Sequence, residues 1–508
     1  MGSETDNTRS SRRQFSRRQY LQTAIASGVG VGLAGCAGGG GGGDNGSESS
    51  GGSSSGSTSE SETTIQFASD DTFKGQQSRI NELLHENGVS DNVTVEILGG
   101  SFVSSGRKNK YGNILSASQQ QPTMFMMDNG WTIPFIARGQ IANLSNELDD
   151  SLVSTIRETY IDTMVATATQ NGDLYGVPLF ADFPVVQYRK DKVLEAGYSE
   201  SELETWSTES MSWQKFSNVV ADTMESNPEM RGYNFQGAAY IGLSCCNFVE
   251  IMSAWGGSYF GDFENLFGPI GDRPVTVNEE PVVQAINMIR HFIHDENPNG
   301  QWDDFAGGIS PEPVVQYKEE SSRKPFTNGE VLFHRNWPYA ININADSEDG
   351  LGQEKLGTMP IPYGVTPEES KYGPEIGGIP AALGGWHVTL NPNAPDEKKA
   401  AAQEVMEALT KKPVQIGLAD AGGWLPPVAD TLRSDELKEN TSTVSPHLDS
   451  LAVAAENAVP RPVTVVWPQQ AQQVNSEVNA AFKQEKSARE AMDSLHNSLT
   501  TLEEQNAQ

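Results

Sequence analysis

A chain of 508 residues, with about sixty at its start carrying no folding signal, is long enough for two sizeable lobes. Its formal charge of −32, from 35 Lys and Arg against 67 Asp and Glu, argues against nucleic acid as a partner, because the phosphate backbone would repel it. Beyond the N-terminus no apolar run reaches the roughly 18 residues of a membrane span, so no transmembrane helix is expected.

The N-terminus reads as an address. Ser16-Arg17-Arg18-Gln19-Tyr20-Leu21 has the form of a twin-arginine export signal, and the apolar stretch from Ala24 to Ala34 is too short to span a bilayer stably. Leu33-Ala34-Gly35-Cys36 follows, small residues before a cysteine, which resembles the lipobox of exported lipoproteins. Residues 1–36 are therefore expected to be a signal peptide with a lipidation site at Cys36, and the Gly/Ser-rich residues 37–63 a flexible tether. A single lipid on such a leash would keep a soluble domain at the membrane face.

From Thr63 the chain becomes foldable. Thr64 to Ala68 alternates like a strand, Gly75 to Asn87 places Ile80, Leu83 and Leu84 on one helical face, and Val93 to Ile97 alternates again. Strand, helix, strand predicts an α/β lobe. The run Thr123 to Met127 reads as a buried strand ending in Asp128-Asn129-Gly130-Trp131. Polar and aromatic residues just past the carboxyl end of a strand are where open α/β sheets hold ligands.

Asn171 to Asp191 combines a turn at Asn171-Gly172-Asp173, an apolar run interrupted by Asp182, and a β-rich run through Val185 to Tyr188. A carboxylate in an apolar run is costly to bury unless donors reach it, so Asp182 is either a strand-end residue or a ligand hook beside a crossing between lobes. Helices are expected over Met211 to Met224, Pro281 to His294, Pro395 to Leu409 and from about Ala471 onward, with a capping box at Ser487 and Glu490. Two strand-like pieces carry aromatic tips. Glu330 to His334 leads to Trp337 and Tyr339, and Ile379 to Leu383 leads to Gly384-Gly385-Trp386 and His387 to Leu390.

Three motifs fall short of a site. Adjacent Cys245 and Cys246 do not make a disulfide framework and read as buried small hydrophobes. His291 and His294 share a helix without a third ligand, which suggests a solvated face. Asn344 to Gly350 resembles a calcium loop, but Lys355 stands where the bidentate Glu belongs, so it reads as an acidic loop.

Five blocks in order carry a resemblance: Met126 to Leu144, Asp173 to Tyr198, Phe326 to Ile341, Leu383 to Thr410 with the following GGWLPPVADTL, and Arg461 to Phe482. From about Thr64 to its end the chain resembles the extracellular solute-binding proteins of ABC sugar transporters, family 1, in the trehalose- and maltose-binding branch. The strong acidity is similar to that of haloarchaeal secreted proteins, which keep solvated carboxylates in high salt.

The resemblance implies an α/β fold of the periplasmic-binding-protein type II, two lobes joined by hinge crossovers with a ligand cleft between them. Lobe 1 would comprise residues 64–183 and 380–425, and lobe 2 residues 184–379 and 426–508. Carried over position by position, it implies ligand contacts from Arg107, Asp128, Phe180, Asp182, Trp337, Gly385, Trp386 and Arg461, with Asp70 or Asp71 adding a carboxylate. Phe180 departs from the branch, which often has Tyr there. The residue types suit a sugar: flat aromatic faces meet the C–H face of a pyranose, while carboxylate and guanidinium groups serve its hydroxyl rim. No catalytic residue, metal or cofactor is expected. The implied partners are a small sugar, the permease subunits of a transporter and the membrane through the lipid alone, for a monomer outside the cell. A secreted glycoside hydrolase using Asp128 and Asp182 as its acid and base, or a sensory or adhesive sugar-binding lipoprotein, are the competing readings.

Overall fold

Two β-sheets organise the described residues of this computed structural model, which are 62–373 and 375–507. The twin-arginine segment, the lipobox cysteine Cys36 and the tether up to residue 61 lie outside them. In chain order the main strands are β1 (Thr63–Ala68), β2 (Val93–Leu98), β3 (Met124–Asp128), β4 (Val177–Asp182), β5 (Val185–Arg189), β6 (Arg231–Asn234), β7 (Val331–Asn336), β8 (Leu356–Met359) and β9 (Gly384–Leu390).

The first sheet has the order β2-β1-β3-β9-β4 and the second β8-β5-β7-β6. β1 pairs in parallel with both β2 and β3, and the helix Gln77–Glu86 lies between β1 and β2 in sequence, as the alternating pattern predicts. β9 returns late in the chain and inserts antiparallel between β3 and β4. β4 is thus an edge strand, which is why it tolerates Pro178. In the second sheet β5 is antiparallel to β7 and β8, and β6 runs parallel to β7. The chain leaves the first sheet at Asp182 and enters the second at Val185, so only Phe183 and Pro184 separate them.

All five residues of β3 and all six of β7 are buried, the signature of strands covered on both faces. Ile65, Val95, Met124, Val388 and Val405 contribute to the core around the first sheet. A larger core joins Tyr188, Phe216, Phe333 and Ile289 with the C-terminal helices Trp467–Phe482 and Ala488–Gln505.

Several expectations shift. The last helical region begins at Trp467 rather than Ala471, with Pro468 in its first turn, and the capping box forms as expected: the Glu490 amide donates to Ser487 Oγ at 3.2 Å and the Ser487 amide to Glu490 Oε2 at 3.0 Å. Ile379 to Leu383 holds only the two-residue strand Ala381–Ala382, paired with Ala458–Val459, and the long strand starts at Gly384, where β3 and β4 can flank it. Asn171 and Gly172 both have positive φ, 52° and 85°, in the turn joining the short strands Thr169–Gln170 and Asp173–Leu174.

The solvated reading of His291 and His294 is corrected. His291 is 3% exposed, and its Nε2 lies 3.2 Å from the Phe305 carbonyl, while His294 Nε2 lies 2.7 Å from the Phe482 carbonyl. Both serve to join the helix Glu280–His294 to its neighbours. Asp346 caps its own loop by accepting from the amides of Glu348 and Asp349, each at 2.8 Å. Among the described residues no helix is long and apolar enough to cross a membrane, and no group of three or more His, Cys, Asp or Glu is placed to hold a metal ion.

Candidate functional site

The strands end at a cleft with about 790 Å³ of empty space, part of it open to solvent. Arg107, Asp128, Phe180, Asp182, Trp337, Gly385, Trp386 and Arg461 all line it. Of the two alternatives near β1, Asp70 lines the cleft and Asp71 is exposed outside it.

From the first sheet come Asp70, Asp128, Phe180, Asp182 and Trp386. Asp70 caps the short helix Asp71–Gly75 by accepting from the Phe73 amide at 2.9 Å, and it accepts from Arg107 Nη1 at 2.6 Å. Arg107, in the helix Ser104–Ser116, is 1% exposed and stacks on the Trp386 ring at 4.1 Å. Its Nε and Nη2 have no protein acceptor. A buried arginine with two unanswered donors costs free energy unless an acceptor reaches it.

Asp128 closes β3, accepting from the Gly130 amide at 2.8 Å and from Arg461 Nη1 at 2.9 Å. A Cβ on Gly130 would sit 2.3 Å from that Nη1, so the pair requires glycine there. Trp386 sits opposite Asp128 on one side of β9 and Phe180 on the other. The register of β9 against β4 shifts between Trp386 and His387. Trp386 is left half-exposed at the cleft while His387 is buried, held neutral by desolvation with its pKa pushed down to about 4.

Gly385 has φ 137°, and a Cβ there would lie 2.5 Å from Met164 Cε. Gly384, opposite Asp182, would bring a Cβ within 2.8 Å of the Trp337 ring. Gly384 thus lets an aromatic ring from beyond β7 lie directly against the first sheet.

The second sheet supplies the facing wall. Trp337 follows β7 and is half-exposed, with the Arg335 guanidinium 4.4 Å from its ring centroid. Arg335 is itself buried at 1% exposure, donating from Nε to Glu250 Oε2 at 2.8 Å and from Nη1 to Gln236 Oε1 at 2.9 Å. Trp337 and Trp386 are therefore partly exposed platforms, each with a buried guanidinium stacked on it, whereas Trp424, also at the cleft, is buried at 5% exposure. Trp206, Trp213, Trp302 and Trp467 are fully buried core residues.

Asp182 is a strongly perturbed acid of the cleft. Removal from water pushes its carboxyl up to about 7; the nearby Asp128 and Asp70 push the same way, while a hydrogen bond from Trp386 and the charge of Arg335 oppose them. By position Asp182 is a strand-end residue, the last of β4, and it lines the cavity.

Sequence reasoning missed Phe102, Tyr240, Glu319, Tyr339 and Trp424, which also line the cleft. Tyr240 donates to Glu319 Oε1 at 2.7 Å and Tyr339 to Glu320 Oε1 at 2.9 Å, so both phenols are oriented by carboxylates. Tyr339 belongs to the aromatic tip after β7 that the sequence did mark, whereas Tyr240 sits in an irregular loop with no periodic signal. The reading of Cys245 and Cys246 is half right. They are buried, at 5% and 2% exposure, but they are joined to each other in a disulfide and line the cleft.

Comparison with known proteins agrees with this architecture. The sequence profile of the bacterial extracellular solute-binding protein family matches residues 91–446. A probable ABC transporter-binding protein of Deinococcus radiodurans is 29% identical over 373 residues, covering 73% of this chain and 77% of its own. The maltose-bound MalE3 of T. maritima superposes with a TM-score of 0.70 at 24% identity, over 87% of this chain and 100% of that one. The GacH receptor of Streptomyces glaucescens, solved unliganded and with acarbose, gives 0.67 at 18% identity over 88% and 100%. These likenesses establish the α/β solute-binding fold, and the chain belongs to the bacterial extracellular solute-binding protein family.

Proposed function

We propose that this member of the extracellular solute-binding family takes a sugar into its cleft, an α-linked disaccharide such as trehalose or maltose, and delivers it to the permease of an ABC transporter. The observation that carries this reading is the pair of half-exposed tryptophans, Trp337 and Trp386, each stacked with a buried arginine, over a cleft that also holds Asp70, Asp128 and Asp182. Flat apolar faces accept the C–H face of a pyranose, and the carboxylates accept from its hydroxyls. Arg107, with its unanswered donors, suits hydroxyl oxygens. Phe180 provides apolar surface without the hydroxyl of a tyrosine. The maltose-bound relative of the same fold supports the sugar class.

In this reading residues 64–183 with 380–425 form one lobe, and 184–379 with 426–508 the other. The short crossing at Phe183 and Pro184 would serve as one hinge. A sugar touching both lobes would stabilise the closed state, and only that differential contact shifts the equilibrium. Export by the twin-arginine route, lipidation at Cys36 and a tether would hold a monomer at the outer face of the cell membrane in a saline habitat. Mass spectrometry of the mature N-terminus tests the anchor: a lipid-modified cysteine supports it, and an unmodified Cys36 removes it.

A thermal-shift screen at high salt with trehalose, maltose, maltotriose, glucose and sucrose tests the function. Stabilisation by a disaccharide is expected, and no response to any of the five would refute the sugar assignment. Prolonged incubation with an α-glucoside should release no glucose; release would favour the hydrolase reading.

A further inference from the structure

Cys245 and Cys246, neighbours in sequence, are joined by a disulfide inside the π-helical turn Leu243–Asn247. The only other cysteine of the chain is Cys36. Both sulfurs belong to residues that line the cleft, and Trp337 packs against the pair together with Ala382. The disulfide is thus continuous with a tryptophan platform of the site.

Joining the two sulfurs changes the surface chemically. A thiol pair offers two rotatable S–H groups, and Cys245 Sγ lies 3.8 Å from the Gly242 carbonyl, within reach of a thiol donor. The disulfide has no donor, and its two Cβ atoms and two sulfurs are fixed in one small ring. Sulfur is polarisable and makes favourable contacts with apolar partners. Export would place the pair in an oxidising compartment, where disulfides persist.

We infer that the Cys245–Cys246 disulfide is itself a ligand-contact surface, which with the ring face of Trp337 forms an apolar wall for the C–H face of a bound sugar ring. This rests on the sugar reading of the cleft. Reduction, in which an external dithiol or phosphine takes up the oxidising equivalents and each sulfur gains a hydrogen, turns the fixed ring into two mobile thiols. Affinity should fall as a result.

The test uses the full exported protein with its tether, oxidised or reduced with a phosphine, and a double variant Cys245→Ala with Cys246→Ala. Thiol titration after unfolding should find no free thiol at these positions in the oxidised protein and two after reduction. Calorimetry with the sugar that gives the largest thermal shift should show affinity lower by about tenfold in the reduced protein and the double variant, the loss expected from one ring face of apolar contact. A double variant Cys245→Ser with Cys246→Ser, which adds donors, should bind no better than the alanine pair. Affinities within twofold of the oxidised protein would overturn the inference, even if reduction lowers the melting temperature, because a purely structural brace changes stability alone. Two free thiols in the untreated protein would also overturn it. Absence of binding by all five sugars to the oxidised protein would instead bring down the sugar reading, and this inference with it.

Discussion

Replacing Asp182 with asparagine should strengthen the empty protein and weaken its hold on ligand. The carboxyl is pushed up to about 7 from an ordinary 3.8, chiefly by removal from water and then by the negative charges of Asp128 and Asp70. Between those two values the folded state holds a proton that the unfolded chain releases, so unfolding free energy falls as pH rises through that window. The loss is complete above the folded value. A displacement of that size corresponds to at most about 4 kcal/mol, and partial exposure of the side chain reduces it to roughly 1–2 kcal/mol. The asparagine side chain would keep the acceptor for the Trp386 indole and remove the charge. The Asp182→Asn variant should therefore melt above the wild type at pH 8.5 and together with it near pH 4. Its ligand affinity should fall by roughly 2 kcal/mol, about thirtyfold, because a charged acceptor for sugar hydroxyls is lost. Scanning calorimetry across pH and titration calorimetry read the two effects. Equal melting at pH 8.5 together with unchanged affinity would refute both the perturbed carboxyl and its contact with ligand.

The remaining predictions concern the walls of the cleft. Trp386→Ala should lower sugar affinity by roughly 2 kcal/mol by titration calorimetry, since it removes a stacking face and frees the Arg107 guanidinium. Gly385→Ala should lower stability by about 1–3 kcal/mol in urea unfolding, because its φ of 137° and the Met164 methyl at 2.5 Å both oppose a side chain. Glu250→Ala leaves the buried Arg335 without its carboxylate and should cost about 3–5 kcal/mol of stability in the same assay, whereas an exposed pair such as Arg433 with Glu456 should matter little.

Local pattern carried much of the fold. Alternation in Thr64 to Ala68 and Val93 to Ile97 specified strands, because one face of each must be buried and the side-chain period of a strand is two. Ser487 and Glu490 specified a helix start, because the donors and acceptors involved lie three residues apart. Seven of the residues that line the cleft, Asp128, Phe180, Asp182, Trp337, Gly385, Trp386 and Arg461, lie within the ordered blocks of sequence, and Arg107 was legible only through the wider resemblance.

Other features depended on contacts that sequence distance conceals. Phe180, Asp128 and Trp386 meet only because β9, late in the chain, inserts between β3 and β4, and no local periodicity encodes that insertion. His291 looks like part of a polar face by spacing, yet the Phe305 carbonyl and the Trp302 ring cover its side of the helix. Adjacent cysteines read as hydrophobes because a disulfide framework is sought between distant residues, and only the backbone of the turn at Leu243–Asn247 brings their side chains together at the cleft. By itself the sequence determined the elements, the acidity and the residue types of the site. The tertiary structure decided which buried charges are paired, which tryptophans remain half-exposed and how far Asp182 is removed from water, since each of these is a matter of three-dimensional neighbours rather than chain neighbours.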